Sequence, residues 1–303
     1  MSFDCAVLVC LGVPAALERG ACADFIRAFL GDADVLNVPW PLRKFLAWRI
    51  SEKRADAYLQ NLRAVSACGV HPAAGFAGSL AAKLSARLGV PVGWGGVCGS
   101  PSVSDAVRAM RSQGRSNPAF VILYPQRASS MTFPALRAVR AAGGGATVES
   151  YHDNPAYIDA VAASAAAAAA RADALLVCFH GVPLSQLKRC DYARFCRETF
   201  GLLKSRMPGV RMELAWQSVM DFGRWTSPRA ADAARTLAES GAERLAVVCP
   251  GFFCDCVETT LEIGRDLRDT FLKAGGRSFE FVPCLNDSDA HAELLEGLLK
   301  GLH

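Results

Sequence analysis

This 303-residue chain has no run of about 18 uninterrupted apolar residues, so no transmembrane helix is expected. It has no basic run of about five or more, and its formal net charge is only +4, so nucleic acid is not expected as a partner. It lacks a basic region ahead of its first apolar stretch. MSFDCAVLVCLGVP instead carries Asp4 and reads as a first β-strand rather than a secretory signal. That favours a cytoplasmic, reducing location, where disulfides do not persist. No CxxC pair occurs among the twelve cysteines, although Cys249, Cys254 and Cys256 lie close enough in sequence to raise zinc or an iron–sulfur cluster. Many of the twelve sit inside strand-like runs such as AVLVCL, LLVCFH and LAVVCP, where a thiol serves as a small hydrophobe.

What is present is a globular composition, 51% hydrophobic, in a chain long enough for two domains. Short apolar runs alternate with helical stretches throughout. AVLVCLG, 91–98, 119–124, TVESYH, ALLVCFH, RMELAWQ, LAVVCP and SFEFVPC read as strands. Helices are expected near 20–30, 76–88, 104–112, 133–142, 155–172, 188–206, 230–240, 256–274 and 288–302. Runs such as VILY and LAVV are apolar at every position, as strands covered on both faces must be. The alternation predicts α/β architecture with two doubly wound parallel halves, 1–150 and 151–303, divided at the AGGG turn. VAASAAAAAA, 161–170, is a helix of the best helix former.

Four places carry candidate chemistry. In CPGFFCDCVETTLEIGRD, Asp255, Glu258, Glu262 and Asp266 are 3, 4 and 4 residues apart, which would stack four carboxylates on one helical face. Like charges so placed repel, so the stripe calls for bulk water or a cation. His180 closes the strand ALLVCFH, where open parallel sheets place ligands, and Gly181 and Pro183 shape the turn after it. Gln217 and Ser218 end another strand ahead of Trp225, and a polar pair there needs partners. Tyr124, Gln126 and Arg127 end a strand of the first half. In WPLRKFLAWRISEKR, 40–54, Trp40, Leu42, Phe45, Leu46 and Trp48 interleave with basic residues. The local sequence leaves open a helix packed on the core or an amphipathic lip for a flat apolar ligand or a membrane surface.

In order along the chain, Leu11-Gly12-Val13-Pro14, GSPSVSDAV, LYPQ, YHDNPAYIDA, FHGVP with Cys190-Asp191-Tyr192, WQS, Trp225-x-x-Pro228 and PGFFCDCVETTLEI resemble the signatures of the ferrochelatase family. That family inserts ferrous iron into a porphyrin. The resemblance spans nearly the whole chain and is densest from Tyr151 to Asn286. AGGRSFEFVPCLNDSDAHAELL is similar to the family's C-terminal strand and helix in proteobacteria.

The resemblance implies two Rossmann-like halves, each on a four-stranded parallel sheet, with an active-site cleft between them. It implies protoporphyrin IX and ferrous iron as substrates and protohaem as product. His180 and Glu258 would be the catalytic pair on opposite sides of the porphyrin. Both would also handle the metal, with Asp255 and Glu262 continuing the acidic path. Tyr124, Gln126, Arg127, Trp225, Gln217, Ser218, Trp40 and Phe45 would contact substrate. The 40–54 segment falls where the family has its substrate-gripping, membrane-facing lip, which implies peripheral membrane contact. No cofactor is expected beyond the iron itself. The cysteine-rich extension that holds a 2Fe–2S cluster in some members has no counterpart before the last residue, His303.

The chain departs from the family pattern at Cys68-Gly69-Val70-His71-Pro72, at Arg127-Ala128 and in the glycine missing before Asp191-Tyr192. These departures leave two alternatives: a related chelatase for coproporphyrin or for cobalt, and a non-catalytic tetrapyrrole-binding homologue.

Overall fold

The computed structural model describes residues 3–66, 69–219 and 223–302. Cys68, which opens one of the altered loops, and His303 lie outside the described residues. The chain forms two compact units. The first comprises 1–124, 128–150 and 287–303; the second comprises 125–127 and 151–286.

In the first unit, β1 (Cys5–Cys10), β2 (Val92–Gly96), β3 (Pro118–Ile122) and β4 (Thr147–Val148) form a parallel sheet of order β2-β1-β3-β4. Its helices are α1 (Arg19–Leu30), α2 (Trp40–Val65), α3 (Pro72–Leu88), α4 (Val103–Ser112) and α5 (Ser129–Ala141). β1 is buried at every residue, so its apolar run needs no alternation. Val7 and Val9 pack with Phe120, Ile122, Val107 and Val139 from the neighbouring strand and helices. Ser102 starts α4 through a reciprocal capping box with Asp105.

The second unit repeats the plan. β5 (Ala174–His180), β6 (Met212–Gln217), β7 (Arg244–Val248) and β8 (Ser278–Phe281) pair in parallel in the order β6-β5-β7-β8. Around them lie α6 (Pro155–Arg171), α7 (Leu184–Leu187), α8 (Tyr192–Arg206), α9 (Ala230–Glu239), a π-helix (Glu258–Leu267) and α10 (Arg268–Lys273). Asn154 caps α6 by accepting from the N–H groups of Ala156 and Tyr157, and Pro155 takes the first turn, where no donor is needed. On one face of this sheet Leu176, Cys178, Val247 and Cys249 meet Ala234, Ile263, Leu267 and Phe271. Phe271 is fully buried, and a side chain of that size contributes roughly 1.5–3 kcal/mol relative to exposure.

Differences from the sequence reading are local, with one exception. The strand at TVESYH is only two residues long. The helix expected at 188–206 starts only at Tyr192, as α8, and the short α7 precedes the expected range. The helix beginning at Trp40 runs on to Val65. The exception is α11 (Asp289–Lys300), which the sequence reading left in the second half and which packs on the first unit. Arg87 Nε meets Glu296 at 2.6 Å, and Lys83 Nζ meets Asp289 at 2.8 Å. Ser79 Oγ donates to the Asp287 carboxylate at 2.5 Å. No helix among the described residues is long and apolar enough to cross a membrane.

Candidate active site

In the second unit the chain runs from β5 outward to β6 on one side and β7 on the other. The carboxyl ends of β5 and β7 therefore flank a topological switch point, the place where open α/β sheets bind ligands. His180 ends β5 there, and the loop after β7 leads through Pro250 and Phe252 into the π-helix. His180 and Phe252 face each other with ring centroids 6.3 Å apart.

β5 is buried up to Phe179, and His180 emerges exposed. Its Nδ1 lies 2.7 Å from the Gly181 carbonyl. A carbonyl can only accept, so Nδ1 carries the proton, and Nε2 of the neutral ring keeps its lone pair. The turn beneath is rigidly tied. Gly181 N–H donates to Gln217 O at 2.7 Å, Tyr192 Oη to His180 O at 3.1 Å, and Thr226 N–H to Val182 O at 3.1 Å. Position 181 must be glycine, because a Cβ would come within 2.8 Å of the Gln217 carbonyl.

The acidic stripe differs from its predicted form. Asp255 precedes the helix, so at most three carboxylates share its face. Asp255 Oδ1 accepts from Cys284 N–H at 2.9 Å, and Oδ2 accepts from Asn286 Nδ2 at 2.8 Å. The Asp255 N–H returns a bond to Asn286 Oδ1 at 2.8 Å. That closed pairing ties the loop to the segment after β8, and it explains why Asp255 does not join the helix three residues before Glu258.

Glu258 opens the π-helix half-buried, and its carbonyl accepts from Gln217 Nε2 at 3.0 Å. Glu262, one step along, accepts from Ser218 Oγ at 2.5 Å. Burial pushes the Glu262 carboxyl above the ordinary glutamate value. The Ser218 hydrogen bond opposes that shift, the charge of Glu258 adds to it, and a His180 cation opposes it. Asp266 is exposed and paired with its neighbour Arg265 at 2.6 Å. The i→i+5 bonding of a π-helix is rare and concentrates at functional sites. Among the described residues, no three His, Cys, Asp or Glu side chains form a ready cage for a metal ion.

The predicted substrate residues divide. Gln217 is buried, with Cys249 Sγ 3.4 Å from its Oε1, so both ends of its amide are engaged. Gln126 is buried and donates to Tyr157 Oη and Thr199 Oγ1, each at 3.1 Å. Tyr157 Oη in turn donates to Pro250 O at 2.6 Å, which steadies the loop entering the acidic helix. Arg127 is half-buried. Trp225 is half-buried beside Pro183 and lines a groove with Leu184, Lys188 and Arg224. Tyr124, in the first unit, accepts from Leu11 N–H at 3.0 Å. Trp40 and Phe45 project from α2 of that unit, 59% and 55% exposed, with Leu42 and Trp48 also exposed. Lys44 Nζ lies over the Trp40 ring at 4.4 Å.

Sequence reasoning missed Tyr157 and Thr199 as supports of the loop before Glu258. Tyr157 lay within YHDNPAYIDA; Thr199 carried no signal, because its partner Gln126 is distant in sequence.

A family model described as Ferrochelatase matches residues 4–301. A ferrochelatase of Bordetella pertussis is 33% identical over 97% of this chain and 86% of its own length. One of Klebsiella pneumoniae is 33% identical over 96% of each. Among solved structures, SirB from Bacillus subtilis with Fe3+ superposes with a TM-score of 0.61 at 12% identity, covering 98% of this chain and 94% of that one. CbiX, the terminal enzyme for siroheme biosynthesis in denitrifying bacteria, gives a TM-score of 0.54 at 15% identity, covering 99% of each chain. At such identities the two structures speak for the fold alone.

Proposed function

The chain belongs to the ferrochelatase family, an enzyme family of metal insertion into porphyrin, and from that premise we propose that His180 and Glu258 carry the reaction on ferrous iron and protoporphyrin IX. One observation supports this reading above the others: the Nδ1–Gly181 bond leaves His180 Nε2 as an exposed lone-pair nitrogen. Such a nitrogen can take a pyrrole proton or ligate the metal near neutral pH. Before the iron can enter the ring it must shed water, and the macrocycle must lose two protons. Glu258 supplies the second acceptor or hands over the cation. Glu262 continues the acidic side of the site. Asp255 acts from the loop, by holding it, since both its carboxylate oxygens are engaged.

Porphyrin contacts are assigned to Trp225, Arg127 and Tyr124, and to Trp40 and Phe45 on α2, which would also rest on a bilayer surface. Gln126, Gln217 and Ser218 act through the backbone and side chains they hold. No cofactor is needed, the iron being substrate.

The test is anaerobic incubation with Fe2+ or Zn2+ and protoporphyrin. Metalloporphyrin absorbance should appear with the native chain, and His180→Ala should lower the rate by about 10²–10⁴-fold while porphyrin fluorescence quenching persists. Porphyrin binding without any insertion by the native chain refutes the reading.

A further inference from the structure

Beyond His180, segments 182–184 and 224–226 form a short antiparallel ribbon. Leu184 N–H donates to the Arg224 carbonyl at 2.8 Å, and Pro183 pairs with Trp225. Val182 N–H donates to Thr226 Oγ1 at 3.2 Å. The ribbon carries a groove of about 390 Å³, whose wall is mostly apolar, from Pro183, Leu184 and Trp225. Two cations share that groove: Lys188, just after α7, and Arg224, on the ribbon, both exposed. Elsewhere in this unit Arg171, Arg194, Arg206 and Arg244 are paired with carboxylates. Among the described residues, neither the Lys188 ammonium nor the Arg224 guanidinium has a hydrogen-bond or ion-pair partner. An anion placed in the groove is attracted by both. An apolar wall with a cationic rim therefore fits an anionic group carried on an apolar body. Pro183 lies three residues after His180, so the groove begins within about 11 Å of the histidine.

We propose that Lys188 and Arg224 form a carboxylate subsite, which takes one propionate of the porphyrin while its alkyl arm packs along Trp225 and Leu184. This rests on the metal-insertion reading above and deepens it, by making an ionised side chain of the macrocycle a determinant of substrate choice. Neither cation stood out in the sequence, because the two meet only where the ribbon joins their segments.

Lys188→Met and Arg224→Met, singly and together, keep the apolar stems and remove the charges. Both side chains are exposed, so folding should be unaffected. Porphyrin affinity is read by fluorescence quenching without metal, for protoporphyrin IX and for its dimethyl ester in the same neutral detergent. The native chain should prefer the free acid, and the double variant should lose about tenfold of that preference. Added salt should weaken binding of the acid more in the native chain than in the variant. In steady-state insertion the KM for protoporphyrin should rise to match, and the KM for Zn2+ should not. An acid-to-ester ratio that is the same in the native chain and the double variant overturns the proposal. So does a variant that keeps the ratio but loses sedimentation with anionic phospholipid vesicles, since the cations would then serve a lipid surface. If the native chain inserts no metal while its acid preference depends on these two cations, the subsite stands and the insertion reading falls. If it inserts metal and the ratio is unchanged by the variants, the reverse holds.

Discussion

Gln217 Nε2 donates to the carbonyl of Glu258 across 3.0 Å, so the end of one strand fixes the start of the acidic helix. Gln217 is only 3% exposed, and its Oε1 faces the Cys249 thiol. Gln217→Leu fills much the same space but strands the Glu258 carbonyl and the thiol without partners. An orphaned buried polar group costs about 1–3 kcal/mol. Urea denaturation should show a loss of that size, and kcat should fall with it because Glu258 is no longer anchored. Unchanged stability would mean that water satisfies the carbonyl equally well.

The alternation of apolar runs and helices was enough to read both sheets, because inner strands covered on both faces, such as β1 and β3, are apolar at every position, while the edge strand β8 still shows an alternating polar and apolar pattern. His180 was legible as a strand-end residue for the same reason. Asp255 was misread because its three-residue spacing to Glu258 mimics a helix, while its partners Cys284 and Asn286 are about 30 residues away. The π-helix left no trace in the pattern, since residues four apart share a side in either helix type. The docking of α11 on the first unit was equally hidden: it is set by Arg87, Lys83 and Ser79, whose partners lie more than 200 residues along the chain.

Gly181→Ala probes the turn that presents His180. The new Cβ would stand 2.6 Å from Val219 Cγ2 and 2.8 Å from Gln217 O. The valine tip can rotate away, but the carbonyl is fixed by the sheet and by the Gly181 N–H bond. Overpacking of this kind costs roughly 1–3 kcal/mol. Thermal unfolding should shift down, and insertion activity should fall further than the stability loss explains, because the displaced turn carries His180 with it. A variant with native activity and native Tm would show that the turn is compliant.

The aromatic face of α2 offers the opposite case. Trp40 and Phe45 are each more than half exposed, so their loss removes little buried surface. Trp40→Ala combined with Phe45→Ala should leave folding stability within about 0.5 kcal/mol per site. The same variant should lose sedimentation with anionic phospholipid vesicles and show a raised KM for protoporphyrin. If both readouts match the native chain, this face is neither a lip nor a membrane contact.

Asp173 gives a prediction about acid stability away from the site. Its Oδ2 accepts from the N–H groups of Glu243 and Arg244 at 2.9 and 2.8 Å, and Oδ1 accepts from Arg244 Nη2 at 2.7 Å. The Arg244 guanidinium and these backbone donors hold the carboxyl down to about 2, from an ordinary value of 3.8. The folded value lies below the unfolded one, so the unfolded chain takes up the proton first as pH falls. The stabilisation is therefore complete above the ordinary value and is lost as pH drops toward about 2. Asp173→Asn should lower Tm at neutral pH, and its difference from the native chain should shrink as pH falls through that window. A gap that widens on acidification would show that Asp173 is not stabilised in its ionised form.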